Sequence, residues 1–333
     1  MTTRVAVDAM GGDAAPSVVV EGAVRAVRAH PERVHVLLFG PEEAVRGALE
    51  VHGVDGLPIE VVDAPDVIGM GESPAVALKA KPNSSIHRGL AAHKGGKADA
   101  FASAGNTGAV MAAALFACGR LPGVLRPSLP GYFPTPNGTC LVLDVGANVD
   151  CKPEHLVQFA QMGAIFMACQ YGTADPSVAL INVGEEPGKG TEAVKAAYEK
   201  LQATDGLRFI GNIEGRDLFH HKADVAVCDG FVGNALLKLG ESVATVLPHL
   251  IRQEIARQGV SGQDAMLVGR VLAGVMEPFR YENYGGVPLL GVDGHVVIGH
   301  GSSNALAIEQ MILRAVELVE QNVTGRIAEA LGE

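Results

Sequence analysis

Glycine-rich turns with polar side chains follow several short apolar runs of the sequence. The first comes after residues 5–7 and contains Asp8, Gly11, Gly12 and Asp13. Its glycines tolerate positive φ and let the backbone approach a ligand closely, so free N–H groups there could bind an anion. One such turn alone is typical of an ordinary connection between a strand and a helix. Six similar turns follow, at residues 103–108, 144–148, 182–190, 211–217, 229–234 and 299–304.

The seven turns together predict a polar binding cleft. In open α/β sheets, ligands bind beyond the carboxyl ends of the strands. We therefore expect the turns to meet at one edge of one sheet. Backbone and amide donors at that edge would suit a phosphate or a carbonyl oxygen.

Several familiar catalytic devices are missing from the sequence. Residues 188–191 are similar to the end of a Walker loop, but Val183 stands where that motif requires glycine. There is no G-x-S-x-G turn, no H-E-x-x-H helix and no cysteine pair with zinc spacing. We therefore expect neither a covalent nucleophile nor a catalytic metal.

The spacing of the strand-like runs predicts an α/β fold. Helical stretches lie between most of these runs, which is typical of a mainly parallel sheet covered by helices on both faces. We expect a three-layer α/β/α sandwich in which residues 1–333 form a single catalytic domain, although the length also allows two smaller units. The runs lie at residues 34–39, 59–62, 100–103, 140–143, 178–182, 208–210, 225–228 and 296–298.

Residues 231–283 break this alternation and predict a protruding pair of long helices. Apolar residues recur there at helical spacing, with an interruption at residues 259–262. The apolar stripe can pack against the chain's own core or against a second copy, and we favour a homodimer. Pro248 should kink the first helix. The turn between the helices shows no basic membrane anchor, so peripheral contact with a membrane stays an alternative.

Charge is distributed unevenly along this acidic chain. The net charge of −11 argues against nucleic acid as a partner, because phosphate backbones require clustered Lys and Arg. Between residues 73 and 143, in contrast, Asp99 is the only acidic residue. This basic segment is either a solvated helix face or a docking surface for an acidic partner. Its candidate docking residues are Lys79, Lys81, Arg88, Lys94 and Lys97.

The cysteines and the apolar runs favour a cytoplasmic location. Five cysteines without a Cys-x-x-Cys pair are typical of free thiols in a reducing compartment. The sequence enters a strand without a secretory signal, and its longest apolar run, residues 109–118, is too short for a membrane span.

The seven turns, taken with residues 152–156 and 284–286, resemble the signature blocks of the acyl-[acyl-carrier-protein]:phosphate transacylases, the bacterial phosphate acyltransferases. The match is collinear from about residue 4 to residue 323. The resemblance implies transfer of a fatty acyl group from acyl-carrier protein to inorganic phosphate. The acyl phosphate would then pass to a membrane glycerol-3-phosphate acyltransferase in phospholipid synthesis. It further implies a fold like that of isocitrate and isopropylmalate dehydrogenases, a homodimer and no cofactor.

Such a reaction would need little acid or base catalysis. Phosphate is an anionic nucleophile at neutral pH, and a thiol with a pKa of about 8.5 leaves without a strong acid. The site must instead position phosphate and stabilise the developing oxyanion.

On this interpretation Lys189 binds phosphate or the oxyanion, and Asn106, Asn234 and His300 are the other candidate catalytic residues. The aspartates orient donors rather than act as bases, because a bare carboxylate repels phosphate. The residues expected to bind phosphate or substrate are Asp8, Gly11, Gly12, Asp13, Ser103, Thr107, Asp144, Asn148, Asn212, Arg216, Ser302 and Ser303.

Three other functions stay open at this point. An NAD-dependent hydroxyacid dehydrogenase on the same fold would need a carboxylate cluster for a metal and substrate arginines, which we do not find. A coenzyme A phosphotransacetylase is closer in chemistry, although its signature blocks look different. A non-catalytic module that binds a carrier protein would not require a polar cleft.

Overall fold

The structure is a computed structural model that describes residues 2–332, in which short strands alternate with helices. The strands are β1 (Thr3–Asp8), β2 (Val34–Gly40), β3 (Ile59–Asp63), β4 (Ala100–Ser103), β5 (Pro130–Thr135), β6 (Gly138–Leu143), β7 (Val178–Ile181), β8 (Phe209–Ile213), β9 (Val225–Val227), β10 (Val287–Pro288) and β11 (Val296–Ile298). The α-helices are α1 (Ser17–Ala29), α2 (Glu42–Glu50), α3 (Pro74–Ala80), α4 (Ser85–Lys94), α5 (Thr107–Ala117), α6 (Pro153–Tyr171), α7 (Glu192–Gln202), α8 (Gly230–Arg257), α9 (Gly262–Met276), α10 (Ala305–Glu320) and α11 (Val323–Leu331). Short 3-10 helices lie at Gly215–His220, Glu277–Phe279 and Tyr281–Asn283.

The first of two compact units contains residues 2–130, 165–174 and 281–332. Its sheet has the order β10-β11-β4-β1-β2-β3, and its strands run parallel except for β10, which is antiparallel to β11. Successive residues of β1 and β4 are buried, which requires cover on both faces of the sheet. Helices α1 and α10 pack together, with α10 against β1 and β4, while α4 packs on the same two strands and on α5.

The second unit contains residues 131–164 and 175–280. Its sheet has the order β5-β6-β9-β7-β8, in which β6, β9, β7 and β8 run parallel. Helix α6 packs closely on this sheet, because a Cβ on Gly163 would lie 2.7 Å from Val225 and 2.8 Å from Leu143. Helix α7 packs on β8 and buries Ala197 and Leu201.

The predicted α/β class with mostly parallel strands and covering helices is confirmed, but the strands form two sheets. We expected the seven polar turns at one edge of one sheet, and this expectation is wrong. Three of them follow β1, β4 and β11 of the first sheet, and four follow β6, β7, β8 and β9 of the second. An apolar run indicates that a strand is buried, but it does not indicate which strand pairs with it.

Helices α8 and α9 occupy the segment in which two long helices were predicted. Helix α8 continues through Pro248 as one element, and α9 has no buried residue. Exposed apolar side chains therefore cover one stripe of each helix, including Leu239, Val243, Val246 and Leu250 of α8 and Met266, Val271 and Val275 of α9. Among residues 2–332, no helix combines the length and the apolar character that a bilayer crossing requires.

Candidate phosphate and thioester site

Asp8 and Ser103 fix the turns that follow β1 and β4. Asp8 ends β1 and is only 2% exposed. Its Oδ1 accepts the Met10 N–H at 3.1 Å, and its Oδ2 accepts the Ser103 hydroxyl at 2.7 Å. Ser103 Oγ in turn accepts the Gly105 N–H at 3.0 Å. Because β1 and β4 are neighbours, one carboxylate ties both turns together.

The environment of Asp8 makes it an orienting group. Burial raises the pKa of its carboxyl, while hydrogen bonds from Ser85, Ser103 and the Met10 N–H act in the opposite direction. These donors come from the protein itself and enclose the carboxylate. Asp8 is therefore not available to a substrate as a general base.

The double glycine allows the β1 turn to lie directly on the β4 turn. A Cβ on Gly11 would stand 2.7 Å from Asp8 Oδ2 and 2.7 Å from the Gly105 nitrogen. Gly12 has φ of +112°, which side-chain-bearing residues rarely adopt. The Gly11 N–H donates to Asp8 O at 3.2 Å, whereas the Gly12 N–H donates to no atom of residues 2–332. The Asp13 N–H donates to Gly301 O at 2.8 Å, which joins a third turn to the group.

Asn106 caps α5 and holds a neighbouring segment. Its Oδ1 accepts the Ala109 N–H at 3.1 Å, while Nδ2 donates to the carbonyls of Met70 at 3.0 Å and Glu72 at 2.9 Å. The oxygen and the nitrogen of this side-chain amide both form hydrogen bonds within the protein. The donors that α5 offers a ligand are the backbone N–H groups of its first turn, which starts at the exposed Thr107.

His300 and Ser302 lie on the exposed turn between β11 and α10. Nδ1 of His300 lies 2.8 Å from Ser302 Oγ, and the Ser303 hydroxyl donates to His300 O at 2.6 Å. The Tyr281 hydroxyl donates to Ser302 O at 2.9 Å, and its ring centroid lies 5.7 Å from that of His300. Tyr281 therefore supports this turn from the side.

In the second unit, Asp144 fixes the turn after β6. It is completely buried, and its Oδ2 accepts the Asn148 N–H at 2.6 Å. The Gly230 N–H donates to Asn148 O at 2.7 Å and ties this turn to the start of α8. Asn234 lies exposed one turn further along α8, and its Oδ1 would be 3.6 Å from a Cβ on Gly146.

The loop that carries Lys189 follows β7. The Asn182 amide Nδ2 donates to Lys189 O at 3.0 Å, and the Asn212 amide Nδ2 donates to Glu186 O at 3.0 Å. Asn212 ends up 5% exposed beneath the loop, while Lys189 is exposed. Two amides hold the backbone of this loop, and the Lys189 ammonium forms no ion pair with residues 2–332.

The structure thus gathers the predicted residues into groups at the strand ends of each unit. In the first unit, the turns after β1, β4 and β11 bring together Asp8, Gly11, Gly12, Asp13, Ser103, Asn106, Thr107, His300, Ser302 and Ser303. In the second, Asp144, Asn148 and Asn234 form one group, and Lys189 and Asn212 form another. Arg216 is exposed after β8, where it pairs with Glu214 at 2.8 Å.

These groups offer hydrogen-bond donors and cations, as a reaction of phosphate requires. Within residues 2–332, no three His, Cys, Asp or Glu side chains form a cluster that could hold a metal ion. Cys228 lies beside Asp144, but burial raises the pKa of its thiol well above the usual range. It therefore does not supply a thiolate nucleophile.

The basic segment contains both paired and solvent-facing cations. The Lys81 ammonium contacts the Glu72 carboxylate and donates to Val67 O at 2.6 Å. Lys94 pairs with Asp293 at 2.9 Å, and Arg88 lies 4.0 Å from Asp63. Lys79 and Lys97 are exposed. Arg88 lies in the first turn of α4, beside Ser85, whereas Lys94 ends this helix.

Sequence reasoning missed three residues that support the site. Asn182 stood in one of the polar turns, but nothing in the sequence distinguished it from an ordinary turn residue. Ser85 supports Asp8, and its only signal was the serine pair that starts α4. Tyr281 gave no signal, because its contact with Ser302 joins residues far apart in the sequence.

The sequence matches a family model described as "Fatty acid synthesis protein" over residues 3–326. It is 54% identical over 329 residues to the phosphate acyltransferase of Salinibacter ruber, a match that covers 98% of this chain and 97% of that protein. It is 47% identical over 335 residues to the phosphate acyltransferase of Chlorobaculum parvum, covering 98% of each.

Solved structures with a similar fold include a phosphotransacetylase from Streptococcus pyogenes, with a TM-score of 0.63, 16% identity and coverage of 96% of this chain and 94% of that one. A branched-chain phosphotransacylase from Enterococcus faecalis V583 has a TM-score of 0.59 and 14% identity, with coverage of 96% and 100%. At such identities the likeness shows the fold alone. The family model and the sequence relatives, which span nearly the whole chain, show that it is an acyltransferase that belongs to the phosphate acyltransferase family.

Proposed function

We propose that this chain transfers a fatty acyl group from acyl-carrier protein to inorganic phosphate. A phosphate oxygen attacks the carbonyl carbon of the thioester, and a tetrahedral oxyanion forms. The C–S bond then breaks, giving an acyl phosphate and the carrier thiolate, which takes up a proton. The acyl phosphate would supply a membrane glycerol-3-phosphate acyltransferase in phospholipid synthesis.

The observation that carries this proposal is the β1 turn with its partners. The Gly12 N–H, which has no acceptor among residues 2–332, and the first turn of α5 offer backbone donors next to a carboxylate that already has its own donors. Such donors bind oxyanions without adding a competing base. Phosphate needs no activation by a strong base, which agrees with the enclosed position of Asp8.

Roles for the remaining residues follow from what their side chains contact. Lys189 is exposed on a held loop, so we assign it to phosphate or to the developing oxyanion. His300, Asn234 and Arg216 are exposed and suit contacts to the thioester or phosphate. Asn106, Asp144 and the other buried polar residues serve the reaction through the turns that they hold.

Acyl-carrier protein would dock on the basic segment, through Lys79, Lys81, Arg88, Lys94 and Lys97. Acidic partners are steered by such a surface even though the whole chain is acidic. Helix α4 starts at Ser85, which acts to lower the pKa of Asp8, and ends at Lys94. Arg88 therefore lies nearer to the phosphate turns, and its reversal to Glu should raise the KM for the carrier more than reversal of Lys94.

The exposed apolar stripes of α8 and α9 support a homodimer. A large apolar surface of this kind normally meets a partner, and a second copy supplies an identical stripe. We place the protein in the cytoplasm, where acyl-carrier protein is available. Flotation with liposomes would decide whether the polar turn between the two helices also contacts a membrane.

The decisive experiment is a trapping assay with purified protein. Acyl-carrier protein loaded with a fatty acid, inorganic phosphate and hydroxylamine should yield fatty hydroxamate and free carrier thiol faster than the reaction without enzyme, and this increase should require phosphate. Equal hydroxamate without phosphate would contradict the proposal. Parallel reactions with acyl-coenzyme A, and with NAD and a hydroxyacid, test the transacetylase and dehydrogenase alternatives.

A further inference from the structure

We propose that Asn182 is a positioning residue for Lys189, assisted by Asn212. The Lys189 loop is defined as residues 183–190, between β7 and α7. Both amides act on the backbone of this loop, so their role is to fix where the lysine side chain begins. The inference rests on the proposed function only for what Lys189 binds.

The first contact lies at the two ends of the loop. Asn182 Oδ1 accepts the Val183 N–H at 2.8 Å, and Nδ2 donates to Lys189 O at 3.0 Å. One side chain thus joins the residue that opens the loop to the residue that carries the cation. The backbone N–H of Asn182 donates to Ile213 O at 2.8 Å, so this residue is hydrogen-bonded to the end of β8.

The second contact lies in the middle of the loop. Asn212 Nδ2 donates to Glu186 O at 3.0 Å from a position that is 5% exposed. The carbonyl fixes which way the amide faces, because a reversed amide would turn its oxygen toward another oxygen. Oδ1 of Asn212 is buried and has no partner among residues 2–332. Asn212 therefore contacts the loop through its side-chain Nδ2, which donates to Glu186 O.

Gly190 and Gly184 show how closely the loop folds on these amides. Gly190 has φ of +89°, and a Cβ there would lie 2.6 Å from Asn182 Oδ1. Lys189 Cγ would lie 3.4 Å from a Cβ on Gly184, so the lysine stem crosses the start of its own loop. The direction of the ammonium therefore depends on the closure that Asn182 maintains.

A lysine is a point charge on a flexible stem, so its affinity for phosphate depends on where its backbone is held. A looser loop keeps the charge of the lysine but no longer holds that charge at one position. A positioning role therefore affects the binding of phosphate more than the binding of the carrier protein. That difference separates it from a role in overall stability.

The test uses Asn182→Asp in the full-length protein. This change keeps the oxygen that accepts the Val183 N–H and replaces the donor to Lys189 O. We expect hydrogen exchange in peptides covering residues 183–191 to become about tenfold faster. The KM for phosphate should rise about tenfold, while the KM for acyl-carrier protein stays within about twofold.

A third measurement needs no turnover. Inorganic phosphate should protect Lys189 of the wild-type protein from an amine reagent such as trinitrobenzenesulfonate, as followed by peptide mass spectrometry. Asn182→Asp should lose most of this protection. Asn137→Asp makes the same chemical change in the exposed turn between β5 and β6 and should alter none of the three measurements.

Two results would overturn the proposal: unchanged exchange of the loop in Asn182→Asp, or faster exchange with unchanged protection by phosphate. If the Asp variant unfolds, Asn182→Ala repeats the comparison without an added charge. A wild-type protein that makes no acyl phosphate would contradict the proposed function instead. The exchange and protection measurements would still decide whether Asn182 positions Lys189.

Discussion

Asp8 and Asp144 are buried at the ends of their strands, and each accepts hydrogen bonds from its own turn. Lys189 and His300, by contrast, are exposed. The polar residues therefore divide into those that hold the turns and those that can meet a ligand. At the scale of residues, this division decides which substitutions affect stability and which affect turnover.

Replacing Lys189 should impair the use of phosphate without destabilising the protein. Lys189→Ala removes an exposed charge, so the midpoint of thermal unfolding should not change. We expect kcat/KM for phosphate to fall about 10- to 100-fold, the range for a hydrogen bond to a charged group. Steady-state kinetics measure this effect. Lys195→Ala removes a half-buried lysine of α7 that pairs with Glu192 and should leave kcat/KM unchanged; wild-type kinetics in Lys189→Ala would exclude the assigned role.

Gly12→Ala should disturb both the fold and the reaction. The new Cβ would meet Gly301 O at 3.0 Å in a backbone conformation with φ of +112°. We expect a loss of about 1–3 kcal/mol in the free energy of unfolding, measured with urea, and a loss of activity. Gly47→Ala, in open space on α2, should instead stabilise by about 0.5–1 kcal/mol. Equal effects of the two changes would contradict the strained turn.

The sequence predicted where the polar residues lie along the chain better than what each one contacts. It marked Asn106 as a candidate catalytic residue, and in the structure its amide hydrogen-bonds to Ala109, Met70 and Glu72. An Asn or Asp after a strand can cap a helix or face a substrate, and both uses favour the same residue types. Only the three-dimensional contacts separate the two.

At the scale of elements, the start of α5 and the segment at residues 67–72 depend on one side chain. Asn106→Asp keeps the oxygen that caps α5 but removes the donor to the carbonyls of Met70 and Glu72. We expect the free energy of unfolding to fall by about 1–3 kcal/mol, because partly buried carbonyls lose a donor. Urea titration checks this, and hydrogen exchange should increase at residues 67–72. Wild-type stability in this variant would show that the amide is dispensable.

Elements with strong periodicity were predictable, and irregular ones were not. The helical spacing of apolar residues located α8 and α9. Strands β5 and β10 were missed, since β5 contains Pro130 and Pro134 and β10 has only two residues. The division into two sheets was also missed, because pairing between strands is not a local property of the sequence.

At the scale of the whole molecule, two half-buried histidines should make stability depend on pH. The backbone N–H of His295 donates to His93 Nε2 at 3.0 Å. Burial lowers the pKa of both imidazole side chains. The charged groups nearby are Asp99, paired with Arg4, and Lys94, paired with Asp293.

The unfolded chain binds protons at these histidines near pH 6.5, and the folded chain binds them only at lower pH. Their contribution to stability is therefore complete above about pH 6.5 and is lost as the pH falls below it. Urea titrations at pH 7.5 and 5.5 should show the decrease. His295→Gln should weaken this dependence, whereas His220→Gln, at an exposed position, should not. A wild-type stability that rises on acidification would contradict the sign.

The proposed homodimer is a second property of the whole molecule. Light scattering on the purified protein should give twice the mass of the chain. Leu239→Glu combined with Val243→Glu places charges in the apolar stripe of α8 and should give monomers. Thr245→Glu adds a charge off that stripe and should preserve the dimer. A monomeric wild-type protein would rule out the dimer.

Helix α8 starts at the Asp144 turn and carries Asn234 in its first turns and Leu250 near its far end. At 1.5 Å per residue, these two positions are separated by about 24 Å along one continuous element. Pairing through the distal stripe would also restrain the end that presents Asn234. Specific activity should then decline on dilution, at the protein concentration at which the two copies separate.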